Sequence, residues 1–310
     1  MQNPGFSMAS LTLAINLVPN RYGRLEQLDL FPMRPVRTRT IVVEEYVGRL
    51  NLFPTRAPDA PATVAEQGKR TLRSFVIPHI PHDDVVLPEE VQGLRAFGSE
   101  TDMEGIADVM AQRLETMRNK HAITLEHLRL GGLKGQILDA DGTLIADLFD
   151  TFSIPPQTLS FELATATTNI KAKCYQLSAM IEDGLMGEHM TSIQVLCSTE
   201  FFIAFTTDPK VEKAYERWQE GAVLINDMRA GFTYAGITFE EYRGKATTPD
   251  GTVRRVIEAG EAHAFPLGTL DTFATYVAPA DFNETVNTLG QPLYAKQEPR
   301  AFGRGTDVHT

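Results

Sequence analysis

The chain has 310 residues, 43% of them hydrophobic and 22% charged, enough apolar material for one large or two moderate domains and a poor composition for a disordered chain. A formal net charge of −11 argues against a protein that grips nucleic acid through phosphates, because such binding needs a basic patch. The two cysteines, Cys174 and Cys197, have no zinc spacing and apolar neighbours, so they read as core residues in a reducing cytoplasm.

The first 35 residues read as an arm. Met8 to Val18 forms a short helix that Pro19 stops. It lacks the basic start and small-residue cleavage site of a signal peptide. No run approaches the roughly eighteen apolar residues of a membrane span, and the chain is expected to be soluble and intracellular. From Arg37 to Leu52 the sequence is rich in Val, Thr and Ile, with Ile41, Val43 and Val47 of one parity, and reads as a strand. A Pro/Ala/Gly-rich tip, Pro54 to Gly68, precedes a second alternating run from Arg70 to Pro78. Together they predict a long antiparallel hairpin, marginal in water alone, that must lie on another surface.

Around Ser99 the period changes. Ser99 or Thr101 caps, and Ile106, Met110, Leu114, Met117, His121, Leu125 and Leu128 recur at helical spacing until Gly131-Gly132, which predicts a helix of about 30 residues. Ile137-Leu138 and Leu144-Ile145 around Asp141-Gly142 predict a second, short hairpin. From Ile154 to about Ala264 the reading is mixed α/β. Helices are expected over Asn169–Met186 and Phe201–Trp218, the latter broken at Pro209. Strands are expected over Ile193–Cys197, Phe232–Tyr242 and Val253–Glu258. Phe265 to Leu293 is apolar and strand-like, and a polar tail begins at Lys296.

The sharpest enzymatic motif is Ile137 to Leu144, which matches the first motif of haloacid-dehalogenase-type phosphatases. Asp139 would attack phosphorus there and Asp141 would act as acid and base. Against it, only two apolar residues precede Asp139, no later strand ends in paired aspartates for magnesium, and Glu240-Glu241 is a poor imitation. An Asp-Gly hairpin turn explains the same residues without function. His79, His82, Asp83 and Asp84 lie close together, but prolines hold the segment extended, so a solvated connector is the expectation and no metal site is assigned. His121 and His127 lie on the long helix without a His-Glu-x-x-His grouping, so packing or surface roles are expected, and Trp218 with Tyr215 is expected to close a helix onto a core.

The order of arm, long hairpin, long helix, short hairpin, α/β insertion and return strand resembles the Hong Kong 97-type capsid fold, in particular the lambda-like major capsid protein E family. Ala262 to Gly268, Tyr276 to Asp281 and Glu284 to Lys296 carry the resemblance most specifically. Arg37 to Ile41 with Glu44-Glu45, Leu138 to Gly142, and Val195 to Cys197 with Phe201-Phe202 support it. The resemblance implies an α+β chain divided into an N-terminal arm (1–35), an extended loop (36–90), a peripheral domain around a spine helix (91–153 and 265–310) and an axial domain (154–264). It implies no catalytic residue, metal or cofactor. Its function is the icosahedral head shell of a tailed phage, built in the host cytoplasm from hexamers and pentamers. Portal, scaffold or protease, and decoration protein are the implied partners, with double-stranded DNA enclosed by proximity rather than bound specifically, and no membrane. Candidate contacts between subunits are Arg37, Arg39, Glu44, Glu45, Lys69, Arg70 and Arg73. Some relatives join a loop lysine to a neighbour's asparagine. Lys69 with Asn283 or Asn287 is the candidate pair, but Glu66 and Arg70 predict a solvated amine that keeps its proton. One departure from the family pattern is the end: no terminal strand is legible after Gly303-Arg304-Gly305, so a natural chain continuing past Thr310 is left open.

Overall fold

A computed structural model describes residues 8, 11, 12, 15, 23–47, 69–92, 105–165, 167–225, 231–247, 251 and 253–310. The predicted tip at 54–68 and the proposed caps Ser99 and Thr101 lie outside them, as does most of the first helix. Met8, Leu11, Thr12 and Ile15 are helical. The chain divides into two units. One comprises residues 1–33, 81–275 and 293–310, the other 34–80 and 276–292.

The larger unit holds a helix, Ile106–Lys134, of 29 residues. It begins at Gly105, whose N–H donates to the Asp108 carboxylate at 3.1 Å. It does not stop at Gly131-Gly132. A Cβ on Gly131 would sit 2.9 Å from the Gln136 carbonyl oxygen and 3.0 Å from Ile137 Cα, so this glycine lets the next strand pass close to the helix. Gly135, at φ 83°, is the left-handed stop. The buried stripe also differs from the predicted one. Met110, Leu114 and Met117 are buried, but Ile106 is exposed, and further along burial passes to Glu126, Arg129 and Leu130. A straight helix of 3.6 residues per turn drifts across a fixed seam, and these two stretches face different partners.

Those partners are separate apolar clusters. The first half of the helix packs with Leu11, Ile15, Val86, Ala295 and Val308. Leu130 packs with Leu25, Leu30, Leu196, Ile257 and Phe265. In the first cluster a three-stranded antiparallel sheet runs Lys296–Pro299, Thr306–His309, Asp83–Val86. The strand at Thr306–His309 corrects the reading of a strandless end. Four residues with one buried apolar side chain, Val308, carry no usable alternation, and pairing on both sides makes the strand.

The third cluster belongs to the α/β insertion. Its sheet runs Ala262–Leu267, Ser192–Cys197, Ile237–Glu241, Phe232–Tyr234, with the central pair parallel and the others antiparallel. Five consecutive residues of Ser192–Cys197 are buried because both faces are covered. Ile193, Val195 and Cys197 face a core of Phe161, Phe205, Phe232 and Phe239, with the Phe205 and Phe239 rings stacked at 4.2 Å. Leu196 points to the cluster at Leu130. Helices Ile170–Gly184, Thr199–Thr206 and Pro209–Ile225 flank the sheet, capped by Asn169 on Ala172 N–H and Ser198 on Phe201 N–H. Cys174 and Cys197 are free and buried in this core. Burial pushes the Cys174 thiol up to about 12 and raises that of Cys197 as well, so both are inert. Trp218 and Tyr215 pack against the same cluster.

Two expectations need correction here. The strand expected over Phe232–Tyr242 is a hairpin, because Ala235 (φ 51°) and Gly236 (φ 83°) form a two-residue turn with both central residues left-handed. The strand-like reading of Phe265 to Leu293 reduces to Ala262–Leu267, Thr275–Val277 and a 3-10 turn at Asn283–Thr285, since Gly268, Pro279, Gly290 and Pro292 interrupt the ladder.

In the smaller unit, Thr40–Val47 pairs antiparallel with Lys69–Val76 over eight residues each. Val36 N–H donates to the Val277 carbonyl and Gly290 N–H to the Val36 carbonyl, both at 2.9 Å, which ties the hairpin base to the 276–292 segment.

Candidate assembly interface

The register of the long hairpin places its residues on two faces. Thr40, Val42 and Glu44 oppose Val76, Ser74 and Leu72 on one face, and Ile41, Val43 and Glu45 oppose Phe75, Arg73 and Thr71 on the other. On the first face Val42 is 57% exposed, Leu72 65% and Val76 71%. Ile41, Val43, Arg73 and Phe75 are half-buried. Among the described side chains of this ribbon none is fully buried, so apolar groups stand in water on one face and are half-covered on the other.

The candidate contact residues spread along this ribbon rather than forming a cluster. Arg37 and Arg39 are exposed at its base, where Arg39 meets Asp281 at 3.3 Å in a surface pair of little energetic weight. Glu44 opposes Leu72 and Glu45 opposes Thr71. Lys69 opposes Val47 and Arg70 opposes Tyr46, toward the tip, while Arg73 shares the Ile41–Phe75 face.

The enzymatic motif has a structural explanation. Asp139 and Asp141 are exposed at the turn between Gln136–Leu138 and Leu144–Asp147. Asp139 N–H donates to the Thr143 carbonyl at 2.8 Å. Asp141 accepts from the Thr143 N–H at 2.8 Å and its hydroxyl at 2.7 Å. Both carboxylates order their own turn, and no parallel strand carries them. The histidine-rich connector is also structural. Lys120 Nζ lies 3.0 Å from His82 Nε2, His121 Nε2 lies 2.9 Å from Thr310 Oγ1, and His309 Nδ1 contacts Asp83. Among the described residues no group of three His, Cys, Asp or Glu is arranged to hold a metal, and no helix is long and apolar enough to cross a membrane.

The sequence reading missed a polar network around Glu126. Glu126 is 7% exposed, and its Oε1 accepts the N–H groups of Arg24 at 2.7 Å and Leu25 at 3.0 Å, with the Tyr242 hydroxyl at 3.4 Å. Those amides open the short helix Arg24–Gln27, whose cap position, Gly23, has no side chain to accept them. Arg24 pairs with Glu240 at 2.7 Å, Gln194 donates to Glu240 at 2.8 Å, and Arg129 pairs with Glu26. Burial raises the Glu126 carboxyl above its ordinary range against the pull of those hydrogen bonds. The network fastens residues 23–30 to the long helix and the α/β sheet.

Comparison with known proteins agrees with this geometry. Residues 7–310 match the family described as phage major capsid protein E. The major capsid protein of Pseudomonas phage KPP10 is 31% identical over 95% of this chain and 88% of its own length. That of Salmonella phage Felix O1 is 28% identical over 97% and 90%. Among solved structures, a putative prophage capsid protein of Escherichia coli CFT073 superposes with a TM-score of 0.62 at 14% identity, covering 98% of this chain and 93% of that one. The capsid of Ralstonia phage GP4 gives 0.54 at 12%, covering 94% and 83%. The α+β architecture is therefore that of Hong Kong 97-type phage capsids, and the phosphatase alternative finds no support. The chain belongs to the phage major capsid protein E family, as a shell-forming structural protein rather than an enzyme.

Proposed function

We propose that this chain builds the icosahedral head of a lambda-like tailed phage by closing into rings of six and five, with each long hairpin lying over a neighbouring subunit. The observation that carries this reading is the exposed face of Val42, Leu72 and Val76 on a ribbon in which no described side chain is fully buried. Burying those three side chains is worth ~3–5 kcal/mol per hairpin before the entropy of association is subtracted. Glu44 and Arg70 share the register positions of that face, Glu45, Lys69 and Arg73 those of the other, and Arg37 and Arg39 lie at the base; charges placed this way set the ribbon's register on the neighbour rather than its strength.

In this reading residues 1–35 are the arm, 36–90 the extended loop, 91–153 with 265–310 the peripheral domain and 154–264 the axial domain. The separate apolar cluster of the α/β insertion supports that last boundary. Shell growth in the host cytoplasm involves a portal, a scaffold or protease and a decoration protein. The negative net charge suits an inner surface that encloses DNA without adhering to it. Sedimentation tests the proposal: wild-type protein should form megadalton particles, and a chain lacking 54–68 should stay folded yet remain small. A deletion that unfolds the subunit makes the hairpin a core element and overturns the assignment.

A further inference from the structure

The strands Lys296–Pro299 and Thr306–His309 end in a tip that no part of the shell reading has used. Phe302 stands at its apex with 94% of its surface exposed, more than any other large hydrophobic residue among those described. Its backbone is left-handed (φ 62°, ψ 17°), a conformation that costs a bulky residue and that glycine or asparagine adopts more readily. Within the subunit the ring touches little that could offset this cost.

The backbone of the tip is nonetheless held in place. Arg300 N–H donates to the Gly305 carbonyl at 3.0 Å and Gly303 N–H to the Arg300 carbonyl at 3.1 Å. The Arg300 side chain meets Asp307 at 2.7 Å. Gly305, at φ 123°, passes so close to the Val86 carbonyl that a Cβ there would stand 2.9 Å away. The strand below is anchored through Val308, buried with Leu114 and Met117. Arg304 lies 5.9 Å from the Phe302 ring centroid. The loop from Arg300 to Gly305 thus carries an exposed aromatic and two arginines, of which Arg300 is paired with Asp307 and Arg304 lies beside the ring, on a chain whose net charge is −11.

We propose that Phe302 is an assembly anchor that inserts, with Arg304 beside it, into an apolar depression rimmed by carboxylates on a second copy of this chain. The inference rests on the shell reading. A second copy is the favoured occupant because the family's members assemble with themselves and because a basic tip complements an acidic chain. Aromatic and arginine side chains in a rigid presentation are the usual hot-spot chemistry. Burying one phenylalanine ring is worth roughly ten- to a hundredfold in an association constant.

Two substitutions separate this role from a structural one. Phe302→Gly relieves the left-handed backbone, so the isolated subunit should melt no lower than wild type while the threshold concentration for particle formation rises about tenfold or more. Phe302→Asn, which also accepts this backbone, should behave alike. A photoreactive benzophenone amino acid at position 302, irradiated in assembled particles, should give a covalent dimer whose linked peptides both come from this chain. An unchanged threshold, or adducts only with nucleic acid or another protein, overturns the proposal while leaving the shell reading intact. Wild-type protein that never leaves the small-oligomer fraction overturns both.

Discussion

Replacing Glu126 by alanine removes the acceptor for two amides more than a hundred positions away in sequence. Leu25 is fully buried and its N–H has no water to turn to, whereas Arg24 is partly exposed. A buried donor left unsatisfied costs about 1–3 kcal/mol, and the lost side-chain volume adds a smaller packing term, so Glu126→Ala should cost ~2–4 kcal/mol. Glu126→Gln keeps a carbonyl oxygen for both amides and removes a buried charge whose Oε2 has no partner. It should therefore fall within about 1 kcal/mol of wild type. The pH dependence follows from the raised carboxyl: the folded chain holds this proton more tightly than the unfolded one. The group's contribution is complete below its unfolded value and is lost as pH rises through the folded one, and the glutamine variant lacks that slope. Urea unfolding followed by circular dichroism gives the energies, and hydrogen exchange at Leu25 reports the local loss. An alanine variant within 0.5 kcal/mol of wild type (roughly the error of the method), or a glutamine variant as damaged as alanine, would show that the network does not hold the 23–30 segment.

His121 is held down to about 4 by burial and by His82 and His309, so its contribution to stability should fall as pH drops from about 6.5 toward 4, by up to ~3 kcal/mol. The difference between wild type and His121→Gln across that window isolates it from Glu126, whose effect has the opposite sign. Asp139→Asn should leave assembly unchanged apart from a slightly looser turn, and neither protein should hydrolyse a phosphate ester. Magnesium-dependent activity lost in the variant would refute that. Shells boiled in detergent should run as single chains on a gel, and a ladder of multimers abolished by Lys69→Ala would reveal a cross-link.

Much of the fold was legible because long elements repeat their signal. The helix at Ile106–Lys134 shows several turns of apolar spacing, the hairpin strands alternate, and Asp141-Gly142 is a turn by chemistry. The misses share a physical cause, which is that a partner distant in sequence decides the local conformation. Gly131 looked like a terminator but is a contact point for Gln136, and Ala235-Gly236 turns with less obvious residues than Asn-Gly. Thr306–His309 becomes a strand only between two neighbours. Glu126 lies one position past a predicted apolar residue, and nothing local marks it as the cap of a helix near residue 24. The long hairpin was legible as an element, but what it faces was not, since charges spaced along a ribbon do not name their partners.

The uninterrupted helix also restricts how this lineage of shells can change size. Its early turns and its last turns are seated in different apolar clusters, so the segment between acts as a keyed spacer. Adding one residue there would advance the far end by about 1.5 Å and rotate it by about 100°, turning Leu130 out of its seat. Adding seven residues completes nearly two turns and restores the facing within about 20°, while separating the two clusters by about 10 Å more. Length in this part of the subunit is therefore quantised, and insertions carried by relatives should concentrate in the loops or arrive in steps close to whole turns.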